Sequence, residues 1–154
     1  KKFFINAVGY APWRPGQLPG RDKVDISLIQ EDFRRIKEAG FNSIRTWDAL
    51  TRDELDLAKK FGLKVVQGIW LDPSVDFSDP NMIRDSLNYI KRVAESSKGS
   101  DNLIMYLVIT EPRQEAVLAA GIDKTQEFFK NIKNTIQEID NKPVSMDSWI
   151  PLGF

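Results

Sequence analysis

Five short apolar runs rich in β-branched and aromatic residues recur along the chain, at about 3–9 (FFINAVG), 42–46 (NSIRT), 63–69 (LKVVQGI), 103–109 (LIMYLVI) and 143–147 (PVSMD). Each of the first four is followed by a helical pattern. Ile26, Ile29, Phe33 and Ile36 repeat at spacings of three and four, and Gly40 stands where a helix C-terminal glycine belongs. Thr51 to Glu54 has the form of a capping box, with Leu55, Ala58 and Phe61 on one face behind it and then Gly62. Asp79-Pro80 reads as an N-cap with proline in the first helical position, followed by the stripe Ile83, Leu87, Ile90, Val93. Asp123 is a candidate cap for a fourth helix with the stripe Phe128, Ile132, Ile136 and Ile139, which ends before Pro143.

Strands that alternate with helices must run parallel and be joined by right-handed crossovers, so the chain is α/β. Strand starts at about 3, 42, 63, 103 and 143 give units of about 35 residues. A (β/α)8 barrel typically takes ~250 residues, so 154 residues hold about five strands and four helices of one. The expected architecture is an incomplete TIM barrel, with 1–154 as the N-terminal portion of one barrel domain. A doubly wound nucleotide-binding sheet is disfavoured, because neither G-x-G-x-x-G nor G-x-x-x-x-G-K occurs.

Composition narrows the chemistry. With no cysteine and no histidine there is no Ser-His-Asp triad, thiol nucleophile, disulfide or thiolate or imidazole metal site. Carboxylate chemistry is left standing, and neither a metal nor a cofactor is expected. The 22 basic residues balance 22 acidic ones, so there is no general pull toward nucleic acid. No apolar run approaches the ~20 residues of a membrane span. The apolar start Phe3-Phe4-Ile5 is too short for a signal-peptide core, so any targeting segment has been removed or lies outside this sequence. Missing cysteine is compatible with export and with the cytosol; an extracellular or periplasmic location is favoured over the cytoplasm.

In parallel α/β folds ligands meet the carboxyl ends of the strands. Those ends carry Tyr10 to Trp13, Arg45 to Asp48, Trp70 to Asp72, Thr110 to Pro112 and Asp147 to Trp149, so all four tryptophans lie there. Indole faces stack on the C–H surface of a sugar ring while carboxylates and arginine bond its hydroxyls, so a carbohydrate substrate suits this rim. The bland alternative is that large aromatics plug the mouth of a barrel. The candidate substrate-binding set is Tyr10, Trp13, Trp47, Trp70, Asp72, Thr110, Asp147 and Trp149. The segment from Arg113 to Gly121 is either a substrate-covering loop with one helical turn or a plain connection.

Gly9 to Trp13 after the first strand, the helix end Ala39-Gly40-Phe41-Asn42, the strand Ser43 to Trp47, and Gly62 to Val66 leading to Gly68-Ile69-Trp70-Leu71 resemble the first half of a clan A glycoside hydrolase barrel. Tyr106 to Pro112 is similar to that clan's acid/base strand, and the closest flavour is the barrel domain of family 2 and related β-glycosidases. The resemblance runs from about 3 to 149. It implies that Glu111 is the general acid toward the leaving oxygen and then the general base toward water. It implies that Arg45 supports the nucleophile, an ion pair with Asp48 or Asp72 being the structural alternative.

Two departures from the family pattern stand out. Thr110 occupies the place of an asparagine whose amide bonds the sugar 2-hydroxyl, and the nucleophilic glutamate belongs on a seventh strand, beyond the five found here. Three readings follow: part of a retaining β-glycosidase acting on a β-linked oligo- or polysaccharide, a non-catalytic carbohydrate-binding descendant, or a fragment that completes its core by association through open barrel edges.

Overall fold

A computed structural model describes residues 2–17, 22–109 and 111–147. In chain order the elements are β1 (Ala7–Tyr10), α1 (Ile26–Glu38), β2 (Ser43–Thr46), α2 (Arg52–Lys60), β3 (Lys64–Trp70), α3 (Pro80–Ser97), β4 (Leu103–Ile109), α4 (Gln114–Ala120), α5 (Ile122–Ile139) and β5 (Val144–Asp147). The strands form one parallel sheet in the order β1-β2-β3-β4-β5. Sequential order with crossovers of one hand returns every helix to the same side of the sheet. The molecule is a partial barrel, whose convex side is covered by helices.

The helix ends use the groups that the sequence offers. Asp25 caps α1 by accepting from the Ser27 amide at 2.8 Å, and Asp79 caps α3 by accepting from Asn81 at 2.9 Å, with Pro80 behind it. The capping box of α2 is complete: the Thr51 amide donates to Glu54 Oε2 at 2.7 Å and the Glu54 amide donates to Thr51 Oγ1 at 3.3 Å. Schellman bonds close α1 and α2, Phe41 N to Ile36 O and Leu63 N to Ala58 O.

Three expectations are revised. Residues 114–120 form a two-turn helix, so the described residues hold five helices, and Val117 and Ala120 are buried in the core. Gly121, at φ +88° and ψ 146°, ends α4 and starts α5 at once, a backbone conformation open essentially to glycine alone. Asp123 therefore lies in the first turn of α5 and does not cap it. The first strand starts at Ala7, because Asn42 turns the chain there: its Oδ1 accepts from the Asn6 amide at 2.9 Å and its Nδ2 donates to Phe4 O at 2.8 Å. Phe3, Phe4 and Ile5 precede the ladder and are exposed.

Alternation along the strands sends Tyr10, Ile44, Val65, Ile69, Tyr106 and Val108 toward the helices, where they meet Phe33, Leu55, Ile90, Phe128 and Ile132 in one core. A register shift between Val65 and Val66 opposite β4 puts Leu103 on this side as well. Phe77, Phe128 and Phe129 stack mutually at ring separations of 5.5 to 5.9 Å, each pair worth ~0.5–1.5 kcal/mol beyond its burial. All three tyrosines donate to aspartates: Tyr10 to Asp32 at 3.0 Å, Tyr89 to Asp48 at 2.8 Å and Tyr106 to Asp140 at 3.0 Å. Burial first, then the neighbouring carboxylate, raises each phenol above its ordinary value.

Candidate functional site

The opposite face of the sheet carries the residues of the other parity. Cross-strand register aligns Gly9, Arg45 and Val66 in one row, Gly68, Leu107 and Ser145 in the next, and Trp70, Ile109 and Asp147 at the carboxyl edge. Arg45 and Asp147 stand on β2 and β5, three strand spacings apart, ~14 Å across a flat sheet. Their side chains nevertheless meet, Arg45 Nη2 lying 3.8 Å from Asp147 Oδ2. The sheet is therefore curled toward this face.

Gly68 is held to glycine by the close approach of the end of β2. A Cβ there would lie 2.1 Å from Thr46 O and 2.8 Å from the Trp47 carbonyl, and the Gly68 amide donates to Thr46 Oγ1 at 2.9 Å. The carboxyl end of β2 is thus pressed against β3, which directs Trp47 over the edge of the curled face. The Arg45 guanidinium sits 4.1 Å from the Trp47 ring centroid, a cation–π contact worth ~0.5–1 kcal/mol where solvent reaches it. Trp47 and Trp70 remain 46% and 50% exposed, unusual for rings this large. Arg45, Trp47, Trp70 and Asp147 are brought together at the carboxyl edge.

Glu111 follows β4 at the same edge. It is exposed, and it is the one non-glycine residue among the described ones with positive φ, at +38°. Side chains other than Gly, Asn and Asp seldom occupy that region, and such strain costs on the order of 1–3 kcal/mol. The backbone around it is fixed, since the Arg113 amide donates to Pro73 O at 2.9 Å and ties the turn after β4 to the turn after β3.

The remaining candidates stand apart. Tyr10 is on the helix side, 7% exposed, its ring against Phe33 and its hydroxyl on Asp32, which also pairs with Arg14 at 2.8 Å. Asp72 closes its own turn by accepting from the Ser74 amide at 2.8 Å and the Ser74 hydroxyl at 2.6 Å, and these bonds hold its carboxyl below the ordinary carboxylate value. Trp13 lines a cleft of about 380 Å³ with Val24, Asp48, Leu50 and Glu54. Both of those carboxylates have internal partners, Tyr89 for Asp48 and Thr51 for Glu54. Thr110 and Trp149 lie outside the described residues. Sequence reasoning offered Asp48 or Asp72 as the ion-pair partner of Arg45 and missed Asp147; period-two alternation across the four parallel pairings was the signal that could have found it. Gly68 was equally unmarked, its reason being a close approach from another strand.

Among the described residues, no group of three or more acidic side chains is arranged to hold a metal ion, and no helix is long and apolar enough to cross a membrane.

No protein-family model matches the sequence, and no curated protein matches it. Solved structures do match its fold. The Bacteroides uniformis β-glucuronidase 2 covalently bound to cyclophellitol-6-carboxylate aziridine superposes with a TM-score of 0.77 over 94% of this chain and 18% of that one, at 16% identity. A family 2 β-galacturonidase from Eisenbergiella tayi bound to galacturonate gives 0.67 over 81% of this chain and 22% of that one, at 20% identity. The Parabacteroides merdae β-glucuronidase gives 0.67 over 80% and 16%, at 14% identity. The chain therefore has a glycosidase-like fold, similar to part of the family 2 enzymes, and spans about a fifth of the length of these structures.

Proposed function

We propose that this chain is the N-terminal portion of a retaining β-glycosidase barrel of the clan A type, with Glu111 as acid/base and Arg45 supporting a nucleophilic carboxylate supplied by a further strand. The observation that carries the reading is the carboxyl edge of the curled face. There Arg45, Trp47, Trp70 and Asp147 converge and Glu111 is held in a strained conformation, in a fold shared with family 2 enzymes. Half-exposed indoles offer flat apolar faces to a sugar ring. The arginine offers donors to a carboxylate or to hydroxyls.

The ligands named in two of the structural neighbours carry carboxylate groups, which makes β-linked uronides the first substrates to try, ahead of neutral β-glucans, mannans and galactans. In a polypeptide that includes the second carboxylate, Glu111→Gln should cost orders of magnitude in turnover of a glycoside with a poor leaving group. It should spare much of the first step on an activated aryl glycoside, which needs little acid assistance. Equal activity of variant and parent on both substrates would remove Glu111 from the mechanism.

A second reading, carbohydrate binding without hydrolysis, is favoured by Thr110 in the place of the family's asparagine and by the exposure of Glu111. Under it, oligosaccharides should perturb tryptophan emission and Trp70→Ala should weaken the response, with no turnover by any form of the protein. Silence across uronides, glucans, mannans and galactans would count against both readings.

A further inference from the structure

Two groups interact with the charge of Arg45: the Trp47 ring face at 4.1 Å and the Asp147 carboxylate at 3.8 Å. The carboxylate at 3.8 Å is close enough to attract the guanidinium and too far to take a hydrogen bond from it. No hydrogen bond from Arg45 to another described residue fills the guanidinium's five N–H donors. Its side chain is one quarter exposed and that of Asp147 one third, so both are reachable from the curled face. A long arginine side chain without such partners would sample many rotamers. Here two independent groups, one from the adjoining turn and one from the far strand, flank it on two sides without taking a hydrogen bond from its donors.

We infer that Asp147 is a positioning residue: with Trp47, it holds the Arg45 guanidinium extended across the curled face, with its N–H donors directed to an incoming carboxylate. This rests on the glycosidase reading for what that carboxylate belongs to, but the positioning itself is a property of the chain alone. The arrangement is economical in one specific sense. A carboxylate in hydrogen-bonding contact would occupy the donors that a nucleophile or ligand needs, whereas one at 3.8 Å fixes direction and leaves the fork open.

The test is made without any sugar, on a polypeptide that carries this chain. Protons over an indole face resonate upfield, so the Arg45 δ-methylene and Nε–H signals of arginine-labelled protein should stand upfield of those of the other arginines. The shift should vanish in Trp47→Leu, which assigns it. Asp147→Asn should lose half or more of the displacement, while Asp147→Glu, which keeps the charge, should retain most of it. Far-ultraviolet circular dichroism of each variant shows that the sheet has formed. An unshifted Arg45 in the parent overturns the proposal, as does an unchanged shift in Asp147→Asn or a loss in Asp147→Glu equal to that in Asp147→Asn. None of these outcomes depends on turnover, so a chain that hydrolyses nothing can still pass, and an active enzyme can still fail.

Discussion

Each of the three tyrosines ends its hydroxyl on an aspartate from a different part of the chain, Tyr10 on Asp32 in α1, Tyr89 on Asp48 after β2, and Tyr106 on Asp140 after α5. Burial and the facing carboxylates raise all three phenols. Because the folded values exceed the unfolded value of about 10, the native state keeps protons that the unfolded chain loses at high pH. The stabilisation is complete below pH ~10 and declines above it. Spectrophotometric titration should show phenolate appearing together with loss of circular dichroism, in one cooperative step; three tyrosines that ionise near pH 10 in the folded protein would contradict this. At Gly68, where a Cβ would lie 2.1 Å from the Thr46 carbonyl, Gly68→Ala should destabilise by at least ~1–3 kcal/mol in urea titration, and a neutral effect would mean that β2 and β3 are not so closely pressed. Nothing local to either residue announces these contacts. Tyr106 and Gly68 are seen to need them only once strands are set side by side.

At the scale of elements, local signals were the legible ones. The caps at Thr51 and Asp79 and the glycines after α1 and α2 act within a few residues of sequence, and the structure uses all of them. Thr51→Ala should cost ~1 kcal/mol by removing the hydroxyl that accepts from the Glu54 amide, the bond from the residue-51 amide to the Glu54 carboxylate being kept, measurable as a lower denaturant midpoint at unchanged slope. Helix α4 was not legible as a full element because seven residues give too few turns for a 3.6-residue period to declare itself. Its limit is set by Gly121, whose conformation serves two helices at once. Gly121→Ala should destabilise by ~1–3 kcal/mol, and amide exchange should quicken first in α4 and in the opening turn of α5. Uniform acceleration across the whole sheet would contradict that localisation. The first strand began later than its apolar run because Asn42, a residue from another part of the chain, takes over the hydrogen bonds at Asn6.

For the whole molecule, the spacing of the apolar runs was enough to order the strands, because parallel strands joined by short right-handed crossovers have few alternatives. The consequence is a sheet with helices on its convex side and Arg45, Trp47, Trp70, Asp147 and Glu111 at the carboxyl edge of the other. Period alone could place tryptophans at strand ends but could not say which side each takes, so Tyr10 and Asp72 were grouped with Trp47 and Trp70 until packing and turn bonds separated them. Glu111 is proposed as the acid/base of a retaining glycosidase, and azide rescue is the sharpest test of that role. A polypeptide that carries this chain and the second carboxylate, with Glu111→Ala, should accumulate a glycosyl-enzyme on an activated aryl β-glycoside, because no base remains to activate water. Azide needs no base, so it should restore turnover and yield the β-glycosyl azide with retained configuration. Parent-level hydrolysis by Glu111→Ala without azide, or a rescued product of inverted configuration, would contradict the account.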